Sequence, residues 1–147
     1  MSENDVINLS GPVKINLSEI KDDLVAEGWH SVKIERAEAK LTRRQKLPSI
    51  FVMARITDEN DEDHNRTIIW NSMFSGEGLR FTKRFFEAVD MPEELDYPTY
   101  QDMANELIGR ECECKVKHRT HNGEKQTNVS DWRPIQFDLD VEFDDLE

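Results

Sequence analysis

The sequence has few cysteines and no long apolar stretch, and these absences exclude several classes of protein. Two cysteines among 147 residues cannot build a disulfide framework, which favours a reducing compartment such as the cytoplasm. No stretch approaches 18 consecutive apolar residues, so we expect neither a membrane span nor a membrane partner. The first five residues lack the basic start and the apolar run of a secretory signal.

Motifs that carry catalysis or hold a cofactor are also missing. The chain contains no glycine-rich phosphate loop, no nucleophile elbow and no His-Glu-x-x-His helix, so we expect neither an enzyme nor a cofactor. Cys112, Cys114, His118 and His121 suggest zinc, but structural zinc sites usually separate paired ligands by two to four residues. Val116 continues the face of the two cysteines as a core residue does, so we predict core cysteines and no metal.

Acidic residues dominate the composition, but they are concentrated in three segments. The formal net charge is −12. Residues 137–147 hold six acids and no base, residues 1–28 carry a net charge of −4, and the run Asp58–Asp63 holds five acids. That run lacks the glycine and the final glutamate of a calcium loop, so we predict a solvated loop. Because the acids are segregated, the net charge does not exclude a basic binding face.

Apolar residues alternate with polar ones on both sides of a helical segment. The alternation has a period of two over residues 29–40, 50–56 and 110–119, which predicts three strands, and the β-branched and aromatic residues of 67–71 predict another. Asn122-Gly123 is typical of a two-residue hairpin turn, which predicts a fifth strand over 125–133. Helical spacing begins at Gly78 and places six apolar residues on one half of the wheel: Leu79, Phe81, Phe85, Phe86, Ala88 and Val89. A second helical stretch begins after Thr99, a good N-cap, and ends at Gly109.

This order of three strands, a helical segment and a hairpin predicts a mainly β fold. A five-stranded, partly open Greek-key barrel with its helix between strands three and four, the OB-fold, has this order. An open α+β sheet is the alternative. We predict an N-terminal arm over 1–27, the barrel domain over 28–136 and an acidic, disordered tail over 137–147.

One connection and several outward positions form a candidate basic surface. No acid occurs from Ala39 to Thr57, and the connection Lys40–Pro48 carries four bases. Cations follow a phosphate backbone and aromatic rings stack on bases, a combination that suits single strands. The candidate phosphate contacts are Arg43, Arg44, Lys46, Arg55, Lys115, Lys117 and Arg119; the candidate stacking residues are Phe51 and Trp70, with Trp29, Phe74 and Trp132 more typical of a core. The alternative is that Phe51 is also a core residue and the bases are ordinary surface residues.

The C-terminal tail interleaves its six acids with apolar residues. Such a segment cannot collapse on itself, but it can dock on a partner through its apolar side chains while its acids steer it to a basic groove. We predict Phe137 and Phe143 as partner-binding residues. The tail could also compete with nucleic acid for the basic surface of its own chain.

Several short segments, taken in order, resemble a known family. They are Gly28-Trp29, Val32-Lys33-Ile34, Ala37-Glu38, Lys40, Pro48-Ser49-Ile50, Asn65-Arg66, Trp70, Leu107-Ile108-Gly109-Arg110, Lys115-Val116-Lys117-His118 and Asn122-Gly123. The family comprises phage and prophage proteins, long described as a domain of unknown function, whose members are OB-fold single-stranded-DNA-binding proteins of replication and recombination modules. The tail is similar in character to the acidic tails of bacterial and phage single-strand-binding proteins, but it ends in Leu146-Glu147 rather than Pro-Phe.

The resemblance implies a non-enzymatic protein of phage DNA replication or recombination, acting in the cytoplasm of the host cell. Its partners are expected to be single-stranded DNA, bound with little sequence preference, and replication or recombination proteins recruited by the tail. A homodimer is left open. The rival hypothesis is an acidic protein-interaction module that binds and redirects a host enzyme.

Overall fold

A computed structural model describes residues 10–16 and 24–136 of the chain. Most of the predicted arm and all of the predicted tail therefore lie outside the described residues. The described part contains β1 (Gly28–Leu41), β2 (Pro48–Ile56), β3 (Thr67–Met73), α1 (Gly78–Ala88), α2 (Tyr100–Leu107), β4 (Glu111–His121) and β5 (Glu124–Arg133). None of its helices is both long enough and apolar enough to cross a bilayer.

The five strands form one antiparallel sheet in the order β3-β2-β1-β4-β5. The predicted mainly β fold is confirmed, with two helices between β3 and β4. The sheet is open, with β3 and β5 as its edge strands. β1 is the central strand and pairs with β2 over its C-terminal part and with β4 over its N-terminal part.

One face of the sheet forms the core together with the helices. The predicted inward residues of β2 (Ile50, Val52, Ala54 and Ile56) are fully buried, as are Cys112, Cys114 and Val116 of β4. The core placement of both cysteines is therefore confirmed. From α1, Phe85 packs edge-on against Trp70 of β3, with ring centroids 5.1 Å apart, and contacts Trp132 of β5 at 5.7 Å. These apolar contacts hold α1 across the two edge strands.

The helices begin close to where the sequence predicts, but α1 buries a narrower stripe. Thr99 caps α2, and its Oγ1 accepts a hydrogen bond from the Asp102 N–H at 3.0 Å. Leu79 and Phe81 lie on the apolar half of the α1 wheel, yet they are 48% and 47% exposed, so the buried stripe is narrower than that half. A helix on a sheet edge covers only the arc that faces the sheet, and these two residues flank that arc on opposite sides.

The hairpin between β4 and β5 closes at the predicted turn. Asn122 and Gly123 both have positive φ, 53° and 83°. Two consecutive left-handed residues define the type I′ turn, whose twist matches the twist of paired strands. The turn fixes the β4–β5 register and so places Arg119 opposite Gln126.

Candidate nucleic-acid interface

The face of the sheet that points away from the helices carries a mixed apolar and basic surface. We call it the outer face and define it by Lys33, Arg36 and Lys40 of β1, Phe51, Met53 and Arg55 of β2, and Thr67, Ile69 and Asn71 of β3. The register sets Phe51 beside Asn71, and Met53 beside Ile69. Ile69 is 56% exposed, so this surface offers an apolar side chain to a ligand.

Phe51 lies at the centre of this surface with cations on either side. Its ring is half-buried, the Lys40 Nζ lies 4.7 Å from the ring centroid, and the Arg36 Cζ lies 5.9 Å from it. The prediction that Phe51 points away from the core of β2 is confirmed. Glu38 lies opposite Phe51 and pairs with both cations, its Oε1 2.7 Å from Arg36 Nη2 and its Oε2 3.8 Å from Lys40 Nζ. The open ring is suited to stack on a base, but part of the cations' charge is already neutralised. Sequence analysis missed Arg36 and Ile69, because only the strand register brings them beside Phe51 and Met53.

The β1–β2 loop, residues 42–47, presents its bases from a closed backbone ring. Thr42 and Leu47 hold the ring: the Thr42 N–H donates to the Leu47 carbonyl at 2.9 Å, and the Leu47 N–H donates to Thr42 Oγ1 at 3.0 Å. Arg43, Arg44 and Lys46 are exposed, and no ion pair among residues 10–16 and 24–136 involves any of them. Their positive charge is therefore available to an anionic ligand at this end of the outer face.

Arg55 points to the same face, as predicted, but it already has partners. Its Nε donates to Glu35 Oε2 at 2.8 Å, and its Nη1 donates to the Asn65 carbonyl at 2.6 Å. The hydrogen bond and charge of Arg55 hold the pKa of Glu35 below its usual range. Arg55 thus ties the β2–β3 loop to β1, and less of its charge faces outward than for Arg43 or Arg44.

The predicted bases of β4 lie outward on another part of the sheet. Lys117 and Arg119 are exposed, and the Lys115 Nζ lies 5.9 Å from the ring centroid of Trp29. The Arg133 Cζ lies 4.0 Å from the same ring. Trp29 is therefore a half-exposed aromatic with cations beside it, although its sequence environment favours a core position. The structure thus groups the predicted residues into two clusters, one around Phe51 and the β1–β2 loop and one around Trp29 and β4.

Trp70 differs from its predicted role. Only 7% of it is exposed, because it points inward from β3 onto Phe85 and Trp132. Trp132 and the partly buried Phe74 are core aromatics too. A ring that stacks on a base needs an open face, so the prediction for Trp70 is corrected to a core residue.

The acidic β2–β3 loop is solvated in part, as predicted, since Asp58, Glu59 and Glu62 are exposed, but it is anchored through Asp61 and Asp63. Asp63 is 5% exposed; its Oδ2 accepts from the Ala26 N–H at 2.9 Å, and its Oδ1 accepts from Arg66 Nη1 at 2.8 Å. Burial pushes the pKa of Asp63 up, but these hydrogen bonds and the charges of Arg66 and His30 outweigh burial and hold it below its usual value. The buried His30 lies between the loop and the start of β1, with its Nδ1 2.5 Å from Asp61 Oδ2.

Two groups of side chains have the chemistry of metal ligands. His30, Asp61 and Asp63 each offer one ligand atom, and these three atoms lie within 4.8 Å of one another. No other cluster of three or more His, Cys, Asp or Glu ligand atoms this close together occurs in the described segments. Each of the three is already hydrogen-bonded within the protein. Cys112 belongs to the second group, the cysteines and histidines whose residue types suggest zinc. Burial raises the pKa of its thiol to about 12, which disfavours the thiolate that binds metal.

Phe137 and Phe143, the predicted partner-binding residues, lie outside the described residues. The described chain defines a class: a mainly β domain with an open five-stranded antiparallel sheet, a basic aromatic outer face and two helices on the other side. The chain belongs to the family described as protein of unknown function (DUF669), whose model matches residues 13–142. No curated protein matches it.

Proposed function

We propose that the chain binds single-stranded DNA on the outer face and along the β1–β2 loop, in the service of phage DNA replication or recombination. The observation that carries the proposal is the position of Phe51. This aromatic ring lies on an open sheet face between Lys40 and Arg36, next to a loop with three exposed bases and no acid.

The strand order supports an OB-type binding domain. An OB barrel opened between its third and fifth strands has the order β3-β2-β1-β4-β5. Such barrels bind oligonucleotides on the outward face of strands two and three, flanked by the β1–β2 and β4–β5 loops. Phe51, Met53, Ile69 and Asn71 occupy that face here, and the loop bearing Arg43 and Arg44 lies at one end of it.

Unpaired strands fit this surface better than a duplex. Aromatic and apolar side chains gain about 1–3 kcal/mol per stacked base, and a duplex hides its base faces within its own stack. Within residues 10–16 and 24–136, both helices pack on the other side of the sheet, so neither lies on the outer face for insertion into a major groove. Recognition through stacking and phosphates also predicts little sequence preference.

A titration with fluorescently labelled dT20 tests the proposal. We expect the anisotropy of the oligonucleotide to rise on binding, the affinity to fall steeply between 50 and 200 mM salt as counterions are released, and a 20-base-pair duplex to bind much more weakly. Binding that is insensitive to salt, or equal for the duplex, would contradict the proposal.

The rival, an acidic module that redirects a host enzyme, predicts no measurable dT20 binding even at low salt. Two of the five acids of the run 58–63 are engaged within the fold, Asp61 with His30 and Asp63 with Arg66. Fewer acids of this loop are therefore available to a partner than the sequence suggests. The same titration separates the two hypotheses.

A further inference from the structure

A cleft of about 530 Å³ separates the two edge strands of the sheet. We call it the β3–β5 cleft; its walls include Ile69 and Asn71 of β3, Phe81 of α1, Asn128 of β5 and Arg119 of β4. Ile69 and Asn71 belong to the outer face as well. The cleft is therefore continuous with the surface on which we place the DNA strand.

The cleft has the groups that an unpaired base requires. Phe81 is 47% exposed although it is aromatic, so it offers a ring at the wall of the cleft. Asn71 and Asn128 each carry an amide with both donors and an acceptor, the groups that pair with a base edge. Arg119 is exposed beside them and supplies a positive charge for the phosphate.

Two hydrogen-bond donors beneath the cleft have no acceptor among the described residues. Trp70 and Trp132 also line it, both are more than nine-tenths buried, and neither indole Nε1–H has a partner within the part of the chain that the structure describes. Buried donors are nearly always paired, and an unpaired one is costly. Both Nε1 atoms are themselves closed to solvent, so a carbonyl oxygen in the cleft gains from these donors only where the walls move apart to expose them.

We propose that the β3–β5 cleft is a subsite for one unpaired nucleobase, which stacks on Phe81 while the strand continues onto the outer face. Thymine is the natural probe because it carries two carbonyl oxygens. The inference rests on the function proposed above and extends the path of the strand around the β3 edge. It makes Phe81 and Asn128 base contacts, although neither belongs to a basic loop.

Phe81→Ala tests the subsite, and Leu79→Ala is its matched control. Leu79 lies on the same helix and is similarly exposed, but it faces a different groove formed with residues 91–95. We expect Phe81→Ala to weaken dT20 binding by roughly tenfold, as expected for the loss of one stacked base, and Leu79→Ala to change it less than twofold. If both variants bind within twofold of wild type while dT20 still binds, the subsite is wrong and the proposed function stands. If wild type does not bind dT20 at all, the proposed function fails first.

Tryptophan emission gives a second measurement that does not depend on the fold of the Phe81 variant. The chain has three tryptophans, so Trp29→Phe leaves only Trp70 and Trp132 to report. We expect dT20 to quench their emission in step with the anisotropy of the labelled oligonucleotide, and an oligonucleotide of abasic residues with the same phosphates to quench it far less. Saturated dT20 binding without any change in this emission would overturn the subsite.

Discussion

The two loops at the ends of β2 have opposite charge and opposite anchoring. The β1–β2 loop closes on its own backbone and leaves Arg43, Arg44 and Lys46 exposed. The β2–β3 loop is acidic, but its Asp63 is buried and accepts hydrogen bonds from the Ala26 N–H and from Arg66. The basic loop therefore leaves its charges exposed for a ligand, whereas the acidic loop stabilises the positions of β1 and β2.

The largest expected effect comes from reversing the charge of the basic loop. Arg43→Glu with Arg44→Glu should weaken dT20 binding on the order of a hundredfold at low salt, because attraction to phosphates becomes repulsion. The melting temperature should stay nearly constant, since substitutions on an exposed loop usually change stability by no more than about 0.5 kcal/mol. Anisotropy and thermal unfolding measure the two effects. A large loss of stability with intact binding would show that these arginines are structural.

The acidic loop should behave in the opposite way. Asp63→Ala removes a charged acceptor from two hydrogen bonds, which should lower the free energy of unfolding by about 2 kcal/mol and the melting temperature by on the order of 8 °C. The affinity for dT20 should change little in the folded variant. Equal free energies of unfolding for wild type and Asp63→Ala at pH 7 would contradict the anchoring role of Asp63.

The pH dependence of the difference in unfolding free energy between wild type and Asp63→Ala supplies a control. The pKa of Asp63 lies below its ordinary value of 3.8 in the folded chain, so its stabilisation is fully present above about pH 4. It is lost as the pH falls through the lowered pKa, where the folded chain must also take up the proton. We therefore expect the unfolding curves of wild type and Asp63→Ala to converge at pH values below that lowered pKa. A difference that persists there would point to lost packing instead.

The tail should modulate binding more weakly. Deleting 137–147 removes six negative charges, which should raise dT20 affinity by roughly fivefold at 50 mM salt and hardly at all at 500 mM, where screening is strong. Phe137→Ala with Phe143→Ala retains every charge, so DNA affinity should stay at the wild-type value while binding to a replication or recombination partner falls. Affinity that is unchanged by the deletion at every salt concentration would exclude competition by the tail.

The smallest expected effect on dT20 affinity concerns Arg55, which lies on the outer face and also contacts the β2–β3 loop. Glu35→Gln removes its acidic partner on β1 and should raise dT20 affinity about twofold at low salt. Exposed ion pairs contribute little, so the melting temperature should move by no more than a degree or two. Glu93→Gln, in an exposed segment away from the outer face, is the matched control for losing one negative charge. If Glu35→Gln and Glu93→Gln change the dT20 affinity equally, only the net charge of the protein determines the effect.

Local patterns predicted the strands, because the inward residues of β2 and β4 alternate with a period that the backbone imposes on any strand. The Asn122-Gly123 turn was predictable as well, because asparagine and glycine tolerate the positive φ that a type I′ turn requires. Burial of Asp63 was not, since it depends on Ala26, which lies 37 residues earlier in the chain. The exchange of roles between Trp70 and Trp29 likewise depends on which side of its strand each residue occupies, and α1 covers only one of those sides.

The central position of β1 has a consequence for how the chain folds. β2 follows β1 closely and can pair with it as soon as it is made, and β3 can then pair with β2. Val32 of β1 must wait for Cys112, about 80 residues later, before its other edge is covered. Closing such a long loop is entropically slow. Until then the nascent three-stranded sheet exposes an unpaired edge along β1, a site where two growing chains could associate. The rate of refolding, and the yield at high protein concentration, should therefore depend on the β1–β4 pairing more than on either hairpin.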